Sequence, residues 1–124
     1  MLAHPTFSGP ESKLVYDACF EVAKVALKSG YLVILDGTFM REDYRQEARK
    51  RMARFYSRAD VVWVACSLET ALKRNARRDE PVPPEKVKGI FLGFQAPRRA
   101  LKVDASHLTP QQGARRVCRA LLRS

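Results

Sequence analysis

Two short apolar runs constrain what this chain can fold into more than any other feature. Tyr31-Leu-Val-Ile-Leu35 lies between Gly30 and Asp36-Gly37, and Val61-Val-Trp-Val-Ala65 follows Asp60. Unbroken runs of this length predict strands buried on both faces, as in parallel sheets covered by helices. The segments between them carry helical spacing. Ser12 can cap a helix bearing Val15, Ala18, Cys19, Val22, Val25 and Ala26, with Gly30 at its C′ position. A second helix is predicted from about Arg41 to Phe55, with Tyr44, Ala48, Met52 and Phe55 on one face.

Ser67 suits the cap of a third helix, which runs into the basic stretch Lys73 to Arg78. Pro81, Pro83 and Pro84 break the chain, and Pro84 can open a short helix over Glu85 to Phe94. A last strand, about Ala100 to Val103, ends at Asp104. The final helix from Pro110 carries Ala114, Val117, Cys118, Leu121 and Leu122. Strands alternating with helices predict an α/β fold: a parallel sheet with helices on both faces, joined by crossovers. Residues 1–124 read as a single domain, with 1–10 as a flexible arm and 73–94 as a lid-like region.

Composition removes several classes. A hydrophobic content of 46% argues against disorder. No apolar run approaches the roughly 20 residues of a membrane span, and no signal-peptide core is present. A cytoplasmic protein without membrane contact is expected. Cys19, Cys66 and Cys118 lie far apart within apolar patterns and are expected as buried, reduced thiols. His4 and His107 have no ligand-spaced partners and are expected at the surface. The net charge of +10 is large for 124 residues and points to anionic partners: a nucleotide, another phosphate-bearing substrate, or RNA.

Three groups could carry chemistry. Asp36 ends the first apolar run, next to Gly37, which permits close approach, and Thr38, which supplies a hydroxyl. An acid at a strand tip can orient a metal in nucleotide-hydrolysing folds; a strand ending in Asp-Gly is equally a plain turn. Arg74, Arg77 and Arg78 share one helix surface by spacing, and guanidinium forks suit phosphate oxygens; a solvated helix face is the plainer account. The prolines that follow favour a movable lid. Arg41 and Arg45, one turn apart beyond the Asp36 tip, are candidates for a substrate anion.

From about Leu14 to Leu122 the chain resembles the later part of small P-loop kinases that phosphorylate hydroxyls, a group including adenylylsulfate kinases and phosphoseryl-tRNA kinases. "YLVILDGTFMREDYR" is similar to a strand motif with an acid at its tip and a substrate-contacting arginine beyond. "SLETALKRNARRDEPVPPEKV" resembles the lid of the seryl-tRNA kinase type, and "GFQAPRRALKVDAS" the ending of adenylylsulfate kinases. The resemblance implies an incomplete P-loop kinase-like three-layer sandwich, truncated at its N-terminus, with ATP and Mg as cofactors. Asp36 would be the catalytic and metal-side acid, Thr38, Arg41 and Arg45 the substrate contacts. Arg74, Arg77, Arg78 and Asp104 would meet the nucleotide, with adenine near Asp104 to His107.

One departure stands out: no Gly-x-x-x-x-Gly-Lys-Ser/Thr loop occurs in the sequence. In the kinases that loop and the central strand before it precede the segment equivalent to Met1. The leading expectation is therefore an ATP-dependent phosphotransferase relative, similar to adenylylsulfate kinase, that is inactive alone. The alternative is a non-catalytic basic nucleotide- or RNA-binding protein on a kinase scaffold. With the central strand missing, Tyr31–Leu35 is expected to pair directly with Val61–Cys66 in a three-stranded parallel sheet. A homodimer that shields the open edges is the other solution.

Overall fold

The first helix begins slightly before its expected cap, with Pro10 in a first turn that tolerates a missing N–H. In the computed structural model, which describes residues 9–122, this helix is α1, Gly9–Lys28. Its end is written in the sequence. Gly30 takes φ +86°, its N–H donates to the Leu27 carbonyl at 3.0 Å, and the Tyr31 N–H donates to the Ala26 carbonyl at 3.1 Å. These two bonds form a Schellman motif, as the C′ glycine predicts. The expected arm, residues 1–10, falls almost wholly outside the described residues.

The chain forms two compact units: residues up to Phe39 together with Asp43–Ala59, and Met40–Glu42 together with Asp60 onward. The first unit holds α1 and nearly all of α2, Glu42–Met52. Phe20 and Ala23 of α1 and Ala48 and Met52 of α2 make its core, with Tyr16, Leu27, Val33, Leu35, Phe39 and Tyr56 packed around them. On α2, Ala48 and Met52 lie buried as expected, Tyr44 is half-buried, Arg45 is buried beside them, and Phe55 falls beyond the helix end. The α1 face departs from expectation: the helix buries the stripe of Tyr16, Phe20, Ala23 and Leu27, and leaves Val22 and Val25 about two-thirds exposed, at 70% and 65%. Cys19 is accordingly exposed, as is Cys118, and Cys66 is half-buried. The expectation of three buried thiols is corrected, because their apolar neighbours lie on faces that are not packed.

Tyr31–Leu35 is extended but belongs to no strand. It alternates: Val33 and Leu35 turn into the core, while Tyr31, Leu32 and Ile34 are exposed. A partner ladder would be needed to make it a strand, and it has none among the described residues.

The second unit carries β1 (Val62–Ala65), α3 (Leu68–Ala76), α4 (Pro84–Gly93), β2 (Leu101–Asp104) and α5 (Pro110–Leu121). Here the sheet has two strands. β1 and β2 are parallel, in register from Val62 opposite Leu101 to Ala65 opposite Asp104. Among the described residues the sheet has no third strand, so the expected three-stranded sheet with Tyr31–Leu35 beside Val61–Cys66 is corrected. The parallel α/β character stands. Val103 is the buried centre of this unit, with α5 packed along β2 and α3 against α4. Trp63 stacks on Phe94 with ring centres 5.6 Å apart, and the Lys102 ammonium lies 4.6 Å from the Trp63 ring.

Local chemistry sets the helix starts. The Ser67 hydroxyl accepts the Thr70 N–H and caps α3. Thr109 and Gln112 form a reciprocal capping box, and Pro110 occupies the first turn of α5.

Candidate functional site

In the first unit the chain leaves the extended segment through Asp36, Gly37 and Thr38, all exposed. It then turns at Phe39, whose φ of +37° is rare for an aromatic residue and intrinsically strained. Two side chains hold it there. The Tyr16 hydroxyl accepts the Phe39 N–H at 3.0 Å and shares a hydrogen bond with Thr38 Oγ1 at 3.2 Å. Arg45 Nε donates to the Phe39 carbonyl at 2.8 Å. The Phe39 ring lies 4.8 Å from the Tyr16 ring. The Asp36–Phe39 turn is thus clamped at both of Phe39's backbone groups, with Asp36 held out toward solvent.

Arg45 was expected to meet a substrate anion. Its side chain is buried, with the residue 6% exposed, and its Nε is engaged by the Phe39 carbonyl. Tyr16, by contrast, escaped the sequence reading altogether. It lies 22 residues from Thr38, and an amphipathic helix position gives no sign that its hydroxyl organises a distant turn.

Near this turn, α1 and α2 are locked by charge. Arg51 donates to both Asp17 and Glu21. The hydrogen bond from Arg51 holds the Asp17 carboxyl below its ordinary range, with Lys13 assisting. Glu21 is lowered first by Lys24 and then by Arg51.

In the second unit, chemistry collects where α/β sheets place it, at the carboxyl ends of parallel strands. After β2, Asp104 Oδ1 accepts the Ser106 N–H at 3.0 Å. That bond, then the Ser106 hydroxyl, then the charges of His107 and Lys102 lower the Asp104 carboxyl below its usual range. After β1, the Ser67 N–H donates to Ser106 Oγ at 3.2 Å, tying the two strand ends together. Arg74, reaching from α3, donates to the Ala105 carbonyl at 2.6 Å. Its charge is solvated by carbonyl dipoles, not cancelled by a carboxylate.

Arg77 is the C-cap of α3, and Arg78 follows it. Both are exposed, and neither guanidinium has a partner among the described residues. Beyond them the 77–83 loop is pinned by Asn75, whose amide donates to the Val82 carbonyl at 2.7 Å and accepts the Val82 N–H at 3.0 Å. Arg41 lies exposed at the entry to α2, and His107 is exposed as expected. The structure therefore brings Asp36, Thr38 and Arg45 together in one unit, and Arg74, Arg77, Arg78 and Asp104 in the other. Among the described residues no group of three or more His, Cys, Asp or Glu side chains could hold a metal ion.

A parallel strand pair joined through helices, with Ser67, Arg74 and Ser106 in contact beyond its carboxyl ends, defines an α/β protein, and the family match makes it one of P-loop NTPase-like kind. The chain belongs to the AAA domain family, which it matches over residues 4–102. It is also similar to the L-seryl-tRNA(Sec) kinases of Mus musculus, 35% identical over 71 residues, and Homo sapiens, 32% identical over 71 residues. Those alignments cover 56% of this chain and 20% of each kinase, so the chain spans about a fifth of the length of these relatives. No solved structure matches. No helix among the described residues is long and apolar enough to cross a membrane.

Proposed function

We propose that the chain is the acceptor- and lid-bearing part of an ATP-dependent phosphotransferase acting on a hydroxyl group. The observation that carries this reading is the clamped Asp36–Phe39 turn: a strained backbone, fixed by Tyr16 and Arg45, that presents an acid and a hydroxyl to solvent. Strain of this kind concentrates at functional sites. The likeness to seryl-tRNA(Sec) kinases favours a seryl-tRNA hydroxyl as acceptor, and the resemblance of the 93–106 ending keeps adenylylsulfate as the second candidate.

In this reading Arg77 and Arg78 bind nucleotide phosphate oxygens, with Arg74 and Asp104 in the same unit assisting them. Arg41 attracts the acceptor's anionic group, and Arg45 acts through the Phe39 backbone. Asp36, with Thr38 two residues on, would hold Mg, which takes one or two carboxylates and keeps several waters. Bound there, Mg would neutralise phosphate charge. The chain's own contribution is binding and orientation, because phosphoryl transfer asks mainly for positioning and electrostatics.

Without a Gly-x-x-x-x-Gly-Lys-Ser/Thr loop, no backbone cradle for the β- and γ-phosphates is present in the sequence. The purified chain should bind ATP weakly, more weakly still as salt rises, and should transfer no phosphate to seryl-tRNA or adenylylsulfate. Replacing Arg77 and Arg78 with Ala should abolish ATP binding measured by calorimetry. Unchanged binding in that variant would refute the reading, whereas turnover by the wild-type chain above a no-enzyme control would overturn only the expectation that it is inactive alone.

A further inference from the structure

Helix α5 carries a second cationic surface that phosphoryl transfer does not use. Its sequence, Pro110-Gln-Gln-Gly-Ala-Arg-Arg-Val-Cys-Arg-Ala-Leu121, contains three arginines and no acid. The helix packs along β2, where a methyl at Gly113 would lie 3.9 Å from Val103. Its outer surface, with Leu108 at one end, forms a shallow hollow lined by Gln112, Arg115, Arg116 and Arg119. The three arginines are exposed, and none has a hydrogen bond or ion pair through its side chain among the described residues. Arg51 in the first unit shows the contrast, lying between two carboxylates.

We propose that this face of α5 docks the phosphodiester backbone of RNA. Arg115 and Arg119 are four residues apart, a rise of about 6 Å along the axis, so the guanidiniums form a row. A row of forked donors suits a repeating anion better than a single nucleotide. The hollow offers only Leu108 as apolar lining and no aromatic ring on which a base could stack, so contact is with the backbone and tolerant of sequence. An acidic membrane fits less well. Interfacial helices insert an apolar face, and here Val117 and Leu121 are half-buried on a helix packed against β2. The choice of RNA over DNA rests on the seryl-tRNA kinase likeness.

The test is titration of a labelled RNA duplex, its DNA counterpart and phosphatidylserine vesicles with three proteins: wild type, R115Q/R116Q/R119Q and R115K/R116K/R119K. Glutamine keeps helix propensity, and circular dichroism checks the fold. Wild type should prefer RNA, and the glutamine variant should bind it at least about tenfold more weakly. The salt slope should shrink by about 2 to 3, at about 0.9 per lost phosphate contact, and the lysine variant should keep most of that slope. ATP affinity should be unchanged by the glutamine substitutions, whereas R77A/R78A should remove it; failure of that second result alone counts against the phosphotransferase reading, not this surface. Unchanged RNA affinity in a folded glutamine variant overturns the proposal. So does stronger binding to vesicles or DNA than to RNA.

Discussion

Phe39 shows how much one residue's conformation depends on groups far away in sequence. At φ +37° a bulky side chain gains nothing from its own backbone preference, and the turn persists because Tyr16 and Arg45 satisfy the N–H and the carbonyl. Tyr16→Phe removes the hydroxyl while keeping the ring that packs on Phe20 and Phe39. It should destabilise the fold by about 1 kcal/mol, measured by urea denaturation, since a part-buried N–H loses its acceptor. A stability equal to wild type would mean that water replaces the hydroxyl without loss. A second residue-scale effect follows from Arg51. Both of its carboxylate partners have lowered folded-state values, so the stabilisation they provide is complete above the unfolded carboxylate range. It is lost as pH falls through the folded values of Asp17 and Glu21. The Arg51→Met variant should therefore show a flatter loss of stability between about pH 5 and about pH 2 than wild type in acid titration. Parallel curves would show that the cluster has no part in acid unfolding.

At the scale of elements, features set by local chemistry were legible and those set by partners were not. The cap at Ser67, the prolines at 84 and 110 and the C′ glycine at position 30 act within a few residues, and the helices begin and end beside them. The Asp36-Gly37-Thr38 turn was readable for the same reason. Tyr31–Leu35 was misread because a strand is defined by ladder bonds to another segment, which an apolar run can invite but not supply. The packed face of α1 was misread because the helix is apolar on two sides: Tyr16, Phe20, Ala23 and Leu27 on one, Val15, Val22 and Val25 on the other. Sequence spacing identifies both stripes and ranks neither. In the second unit, Asn75 gives the 77–83 loop a testable anchor. Asn75→Ala removes both bonds to Val82, so trypsin should cleave after Arg77 or Arg78 several-fold faster than in wild type. Equal cleavage rates would mean that the prolines alone hold the loop.

For the whole molecule, charge and exposed apolar surface pull in opposite directions. A net charge of +10 resists self-association, yet Val22, Leu32, Ile34, Val64 and Leu92 are each more than two-thirds exposed, and among the described residues β1 and β2 each have one ladder partner. We expect the apolar term to win once salt screens the charge. Sedimentation should show a dimer that grows with protein concentration and ionic strength, and L32K/I34K should remain monomeric across the same range. A wild-type chain that is monomeric throughout would locate the missing cover elsewhere. The placement of the aromatic residues offers one more handle on the molecule. All four tyrosines, Tyr16, Tyr31, Tyr44 and Tyr56, fall in the first unit, while the single tryptophan, Trp63, stacks on Phe94 beneath Lys102 in the second. Nature has in effect dyed the two halves with different fluorophores. Emission excited selectively at Trp63 follows one half alone, tyrosine absorbance is dominated by the other, and two melting curves that fail to superimpose would mean that each half unfolds on its own schedule.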